Sequence, residues 1–230
     1  KNFNSDSKNS TTLKNELEND IQGLVQLNSK YPLVKEGIKF DKHLIPILAF
    51  KFNPFKNKDI SENDRLINYN NIFSSNRIGS NQTLESGTSL TIGNEYKIFS
   101  KLDESKIFGF NLATSLRLNE NRDLPKKSSL GEKTSNFVGQ IDYKLNSFID
   151  FQYDFITKDN MKDFDYHKIK SKFKVNNFVT SFEFLEENNL IGDKSFISNE
   201  TSLKIDENKN LLFRTRKNKK NNLTEYYDLI

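Results

Sequence analysis

Asn71–Phe99 reads NIFSSNRIGSNQTLESGTSLTIGNEYKIF, and its two halves obey different rules. The first half is loop chemistry, punctuated by Ser74-Ser75-Asn76, Gly79, Ser80-Asn81 and Gly87. The second half alternates. Leu90, Ile92, Tyr96 and Ile98 point one way, and Thr91, Gly93, Glu95 and Lys97 the other. A period of two is a strand with one greasy face and one wet face. A long polar loop feeding a two-faced strand is the unit that recurs to the end of the chain.

The composition suits many such elements. Only 34% of the 230 residues are hydrophobic, yet there are 20 Phe and 8 Tyr. Disordered chains are poor in aromatics, so the low mean hydropathy of -0.73 reflects wet faces on folded strands. A net charge of +4 on 35 basic and 31 acidic residues does not suggest nucleic acid. Without cysteine there is no disulfide and no thiolate metal site. No run approaches the roughly 18 apolar residues of a spanning helix. Lys1 follows no initiator Met or signal-peptide pattern, and Leu229-Ile230 reads as mid-strand, so a fragment of a longer protein is expected.

Residues 1–20 are read as a polar edge, and 21–230 as a meander of strands. Pro32 forbids a helix interior in Ile21–Val34. In His43–Asn53 the Pro46 predicts an edge strand or a bulge. DRLINYNNIF, inside the next loop, suggests a helical turn. Long connections, above all 54–86 and 119–135, alternate with short ones such as KLDESK, Asn146-Ser147 and Asn176-Asn177. A soluble sandwich has no reason to gather its long loops at one end. An outer-membrane barrel does, having long extracellular loops, short periplasmic turns and tilted strands of about 9–11 residues. The expected fold is therefore all-β, an antiparallel up-and-down transmembrane β-barrel present as a partial barrel.

Register supports this. A hairpin centred near Met161 sets Asp154 opposite Lys168, Gln152 opposite Lys170 and Asp150 opposite Lys172. The other face then pairs Tyr153 with Ile169 and Ile149 with Phe173. A turn at Asn176-Asn177 sets Lys170 against Glu183 and Ile169 against Phe184. A one-residue slip would swap faces and lose every match. The lysine row then lines a wet lumen and the Phe row faces lipid.

No catalytic, cofactor-binding or metal site is expected. His43 and His167 lack ligand spacing, and as strand histidines they are read as structural. Asp206, Asn208 and Asn210 mimic a calcium loop, but its Gly position is Leu211 and its twelfth is Lys217. Gly87–Gly93 lacks the Lys-Ser/Thr of a phosphate loop, and Ser89 lacks the second Gly of a nucleophile elbow. No carboxylate pair stands out. The basic run Arg214, Arg216, Lys217, Lys219, Lys220 has two readings: a solvated hairpin loop, or cations meeting the phosphates of an anionic lipid on the long-loop side. No aromatic platform is interleaved with it, which disfavours nucleic acid.

PILAFKFNPF followed by DRLINYNNIFSSNRIGSNQTLESGTSLTIGNEYKIF resembles the barrel of the lipopolysaccharide-assembly outer-membrane family (LptD-type, organic-solvent-tolerance). The matching features are Pro46 and Pro54, Asn76-Arg77, Glu85-x-Gly87 and Gly93. Leu27–Lys35 and LLFRTRKNKKNNLTEYYDLI also resemble that barrel's strands. The resemblance implies a C-terminal part of a larger barrel in the outer membrane, without the family's periplasmic domain, first strands or closing strand. It implies lipopolysaccharide as the transported lipid, an LptE-like lipoprotein plug and a periplasmic bridge as partners, and no bond made or broken. Lys168, Lys170, Lys172, Arg214 and Arg216 are the candidate lipopolysaccharide contacts.

The residues alone reach an outer-membrane-type barrel, which leaves a passive porin as the alternative function. A porin should fold a loop inward and concentrate charge at a constriction. A secreted β-structured adhesin is a third class, opposed by one-sided long loops and Phe-rich outer faces.

Overall fold

In a computed structural model the chain is described over residues 2–5, 18–145, 148–158, 161–188, 190, 193–206 and 209–230. The turn expected at Asn146-Ser147 and the position of Asn208 lie outside these residues. β1 (Asn2–Ser5) and β2 (Glu18–Ile21) make a small antiparallel pair of their own. Among the described residues the remaining strands make one antiparallel sheet of twelve. The strands are β3 (Val25–Lys30), β4 (Leu33–Lys35), β5 (Phe40–Asn53), β6 (Gly87–Ser100), β7 (Lys106–Arg117) and β8 (Phe137–Leu145). They continue with β9 (Ile149–Thr157), β10 (Phe164–Val175), β11 (Phe178–Glu187), β12 (Ser195–Lys204), β13 (Asn210–Asn218) and β14 (Leu223–Leu229).

From β5 to β14 each strand pairs with the next in sequence, and β3 and β4 both pair with β5. This is an up-and-down wall that does not close, with β3–β4 on one edge and β14 on the other. Alternation fixes its two faces. Along β5 exposed Leu48, Phe50 and Phe52 alternate with buried Ile47, Ala49, Lys51 and Asn53. Along β6 exposed Leu90 and Ile92 alternate with buried Ser89 and Thr91. Exposed apolar side chains opposite buried polar ones invert the pattern of a soluble sheet and match a barrel whose outside meets lipid.

The register is the expected one. Lys168 faces Asp154, Lys170 faces Gln152, Lys172 faces Asp150, and Tyr153 and Ile149 face Ile169 and Phe173. Lys170 also faces Glu183, and Ile169 faces Phe184. Mid-strand Phe182 points outward and packs edge-on against Phe173 at 6.4 Å. Phe182→Lys is expected to destabilise the barrel by about 2–4 kcal/mol, while Ser181→Lys on the inner face costs little. Urea unfolding in detergent or bilayer reads the difference.

Three local expectations change. β5 is an interior strand with an unbroken register to β6, so Pro46 marks neither an edge nor a bulge. The N–H and C=O of one strand residue point to the same side, and the Pro46 carbonyl accepts from Tyr31 N–H at 3.1 Å. The donor that Pro46 lacks therefore faces the Tyr31-Pro32 break between β3 and β4, where no ladder continues. The helical turn expected within 64–73 narrows to a single one, with Ile72 N–H donating to Asn68 C=O at 3.1 Å, and 64–68 are irregular. The third change concerns the long loops, which fold back onto the inner face of the wall. Ile60, Ile67, Ile72 and Ile78 from 54–86 and Leu124 and Leu130 from 119–135 form one buried cluster with Ala113, Val138, Ile156 and Leu185 of the strands. The core of this protein lies inside the curve of its wall.

Candidate functional site: a clamped plug and an open groove

Residues 54–86 leave β5 at Asn53 and return to β6 at Gly87, yet Tyr69 reaches Glu95, its hydroxyl donating to Oε1 at 3.2 Å. At about 3.3 Å per residue that contact lies roughly 25 Å down the strand. Phe73 takes the space above Gly93, where a Cβ would stand 2.5 Å from Cζ of its ring. Ala113 lies opposite Gly93 on β7, so two small residues make the seat for one aromatic ring. Gln26 Nε2 donates to the Phe73 carbonyl at 2.8 Å, and the side-chain Oε1 of Gln22 accepts from Leu84 N–H at 2.6 Å.

Under this plug sits one carboxylate surrounded by three cations. Arg77 grips Glu85 with both edges of its fork, Nε to Oε2 at 2.8 Å and Nη2 to Oε1 at 2.6 Å. Arg117 Nη1 reaches Oε1 at 2.6 Å, and Lys51 Nζ reaches Oε2 at 3.2 Å. The other donors of Arg77 go to Thr91 Oγ1 at 2.7 Å, Ser115 Oγ at 2.9 Å and Ser89 Oγ at 2.9 Å. Lys51 also donates to the carbonyls of Ser74 and Ser75. The cluster thus ties the loop, through Arg77 and Glu85, to β5, β6 and β7. Arg77 is 0% exposed and Glu85 2%. A bidentate Arg–carboxylate pair of such burial is directional and strong, and intolerant of losing a partner.

Burial alone would push the Glu85 carboxyl up; Arg77 first, then Lys51 and Arg117, overcome it and hold it down at about 2. Its unfolded value is near 4.5, so the stability it contributes is complete above pH 4.5 and is lost as pH falls toward 2. The plug is therefore expected to resist protease at pH 5 and to become cleavable within 54–86 between about pH 4.5 and 2. An acid-active protease such as pepsin checks this in the lower part of that range. The second long loop locks onto the first. Asn121 Nδ2 donates to Asn57 Oδ1 at 2.7 Å and Ser86 Oγ at 2.8 Å, and Ile60 N–H donates to Asp123 C=O at 2.9 Å.

The other half of the inner face is open. A cavity of about 540 Å³ runs from β7 to β14 near the short turns, bordered by Lys144, Asp150, Lys170, Lys172, Glu183 and Arg214 among others. Its charges are largely matched. Lys170 lies 3.4 Å from Glu183, Lys106 lies 2.9 Å from Asp142 and Arg214 lies 3.5 Å from Asp228. Lys172 makes no ion pair among the described residues. Three of the five expected contact residues, Lys170, Lys172 and Arg214, meet in this groove. Lys168 and Arg216 share their face but do not line the groove: Lys168 lies one step nearer the long loops, and Arg216 sits opposite Ser198 on the rung of Lys170 and Glu183. Lys168 is 3.6 Å from Glu183, and Arg216 lies 3.9 Å over the Phe196 ring and 2.7 Å from Glu225. The basic run is divided: Arg214 and Arg216 belong to β13 and face inward, while Lys219 and Lys220 lie in the turn that follows.

The Glu85 cluster is what sequence reasoning missed. Its members lie at 51, 77, 85 and 117, and only the docked loop brings them together. The available signal was Arg77 and Glu85 as the charged residues of a Gly/Ser/Asn-rich stretch, noticed for their resemblance and not for their charges.

Wall, plug and groove together define a segment of a transmembrane antiparallel barrel with an internally folded plug. The sequence matches the family described as LptD, LPS transport system D, over residues 1–209, and the chain belongs to that family. The family consists of outer-membrane components of lipopolysaccharide transport, not enzymes. No curated protein matches the chain.

Proposed function

We propose that this chain forms part of the barrel that assembles lipopolysaccharide into the outer leaflet of the outer membrane, its long-loop end outside and its short turns in the periplasm. The observation that carries the reading is the division of the inner face. The long-loop half is filled by a clamped plug, and the half toward the short turns is a hydrophilic groove. A groove open on the periplasmic side and stopped on the outer side suits an amphipathic substrate that arrives from within and leaves sideways. Lys170, Lys172 and Arg214 meet its phosphates or carboxylates in the groove, Arg216 at its border and Lys168 above it. An LptE-like lipoprotein and a periplasmic bridge are the partners this function requires.

A porin is the second reading, because a long loop does fold inward. Its charges are sealed beneath it, however, and offer no constriction to passing ions. Depletion of the protein is expected to remove lipopolysaccharide from the cell surface; unchanged surface lipopolysaccharide would sink the proposal, and an open-channel conductance would favour the porin. Lys170→Glu with Lys172→Glu is expected to lower surface lipopolysaccharide without changing the amount of folded barrel. Surface labelling and heat-modifiability on gels check the two quantities separately.

A further inference from the structure

We propose a binding site for a phosphorylated lipid on the outer face of the wall, at its long-loop rim, built on Lys217, Lys219 and Phe184. Two successive rows across the lipid-facing surface point to it. The lower row runs Tyr153, Ile169, Phe184, Ile197 and ends on Lys217. The upper row runs Phe155, His167, Glu186, Ser195, and the Lys219 N–H donates to the Ser195 carbonyl at 2.8 Å. The surface thus changes from apolar to polar within one step along the strands, as the outside of a barrel does where hydrocarbon gives way to head groups. An aromatic group stands at the same level. Tyr153 stacks on His167 at 5.9 Å and Phe164 on His167 at 4.9 Å, the amphipathic belt expected of an interface.

Lys217 breaks an otherwise apolar row, and Lys219 bends back so that Nζ lies 4.8 Å over the Phe184 ring. Neither makes an ion pair among the described residues, whereas neighbouring Lys220 pairs with Asp193 and inward-facing Arg216 with Glu225. Two unpaired ammonium groups beside an aromatic and aliphatic floor fit a ligand with phosphate above and acyl chains below. A free anion would gain nothing from Phe184 and Ile197. The site rests on the proposed orientation, which puts this rim in the outer leaflet, and there it would hold the lipid A portion of product that has already left the lumen.

The test uses the full-length barrel with its partners in phosphatidylcholine nanodiscs doped with bisphosphorylated lipid A, with retained lipid counted by native mass spectrometry. Lys217→Gln with Lys219→Gln is expected to reduce retention by about five-fold for each lysine removed. Lys209→Gln, at a short turn, is expected to leave it unchanged, and dephosphorylated lipid A to be retained weakly by every form. Equal retention by the double variant, or equal retention of the dephosphorylated lipid, overturns the site. Displacement by millimolar inorganic phosphate overturns the lipid assignment. The double variant keeps the groove intact, so loss of surface lipopolysaccharide on depletion tests the transport reading independently.

Discussion

Glu85→Gln is expected to release the plug. The substitution keeps the side chain's size and removes the single negative charge that Lys51, Arg77 and Arg117 share. Removing one partner of a buried ion pair costs about 3–5 kcal/mol, because the charges left behind remain out of water. The wall's ladder is made by backbone pairing of β5, β6 and β7, to which these side chains contribute no rung. The loop depends on them, and the cost falls on docking of 54–86. Purified Glu85→Gln barrel is expected to run as a folded, heat-modifiable band and yet be cut by trypsin within 54–86, after Lys58 or Arg65, where the parent resists. Cells carrying it are expected to admit bulky antibiotics, because a released plug opens the lumen. Adding Lys51→Met should restore part of the protection, since one of the stranded cations is then gone. Equal protease resistance of Glu85→Gln and parent would show that the apolar contacts alone hold the plug.

The contrast between wall and plug also separates what the sequence discloses from what it conceals. The pairing of β9, β10 and β11 is written in alternating charge: Asp150, Gln152 and Asp154 can meet Lys172, Lys170 and Lys168 in one register only. That information is local and repeats every second residue, so reading along the chain recovers it. The plug's destination is not local. Ile67, Ile72 and Ile78 look like scattered apolar residues in a polar loop until Ala113, Val138 and Ile156 are seen on the wall beneath them. Those wall residues interrupt a face that is otherwise polar, and the interruption marks a seat for something apolar. Pro46 shows the same limit. It signals a missing ladder bond, but which neighbour lacks it depends on the break at Tyr31-Pro32. The groove lies between these cases, since its lysines were visible as a row while the meeting of Lys172 with Arg214 depends on how the sheet curls.

Gly93→Val is expected to undock the plug from the opposite side, by geometry and not by charge. Two effects compete. Valine suits a strand better than glycine, an advantage of up to about 1 kcal/mol. Against it, the first added carbon would lie 2.5 Å from Phe73 Cζ, 3.0 Å from Ala113 Cβ and 3.1 Å from the Leu112 carbonyl oxygen. Two of those atoms belong to the neighbouring strand and cannot retreat, so the phenyl ring must move. Overpacking of this kind costs about 1–3 kcal/mol, and valine adds two further methyl groups to the first carbon, so the steric effect wins. Once displaced, Phe73 drags its neighbours: Tyr69 packs edge-on against it at 5.9 Å and carries the hydrogen bond to Glu95. Phe73→Ala loosens the same contact by leaving a gap. The pair should then be non-additive: Gly93→Val with Phe73→Ala is expected to protect 54–86 from trypsin better than Gly93→Val alone, because the valine side chain fills the space that the ring vacates. Additive losses would mean that Gly93 and Phe73 do not meet, and the seat would have to be sought elsewhere on β6.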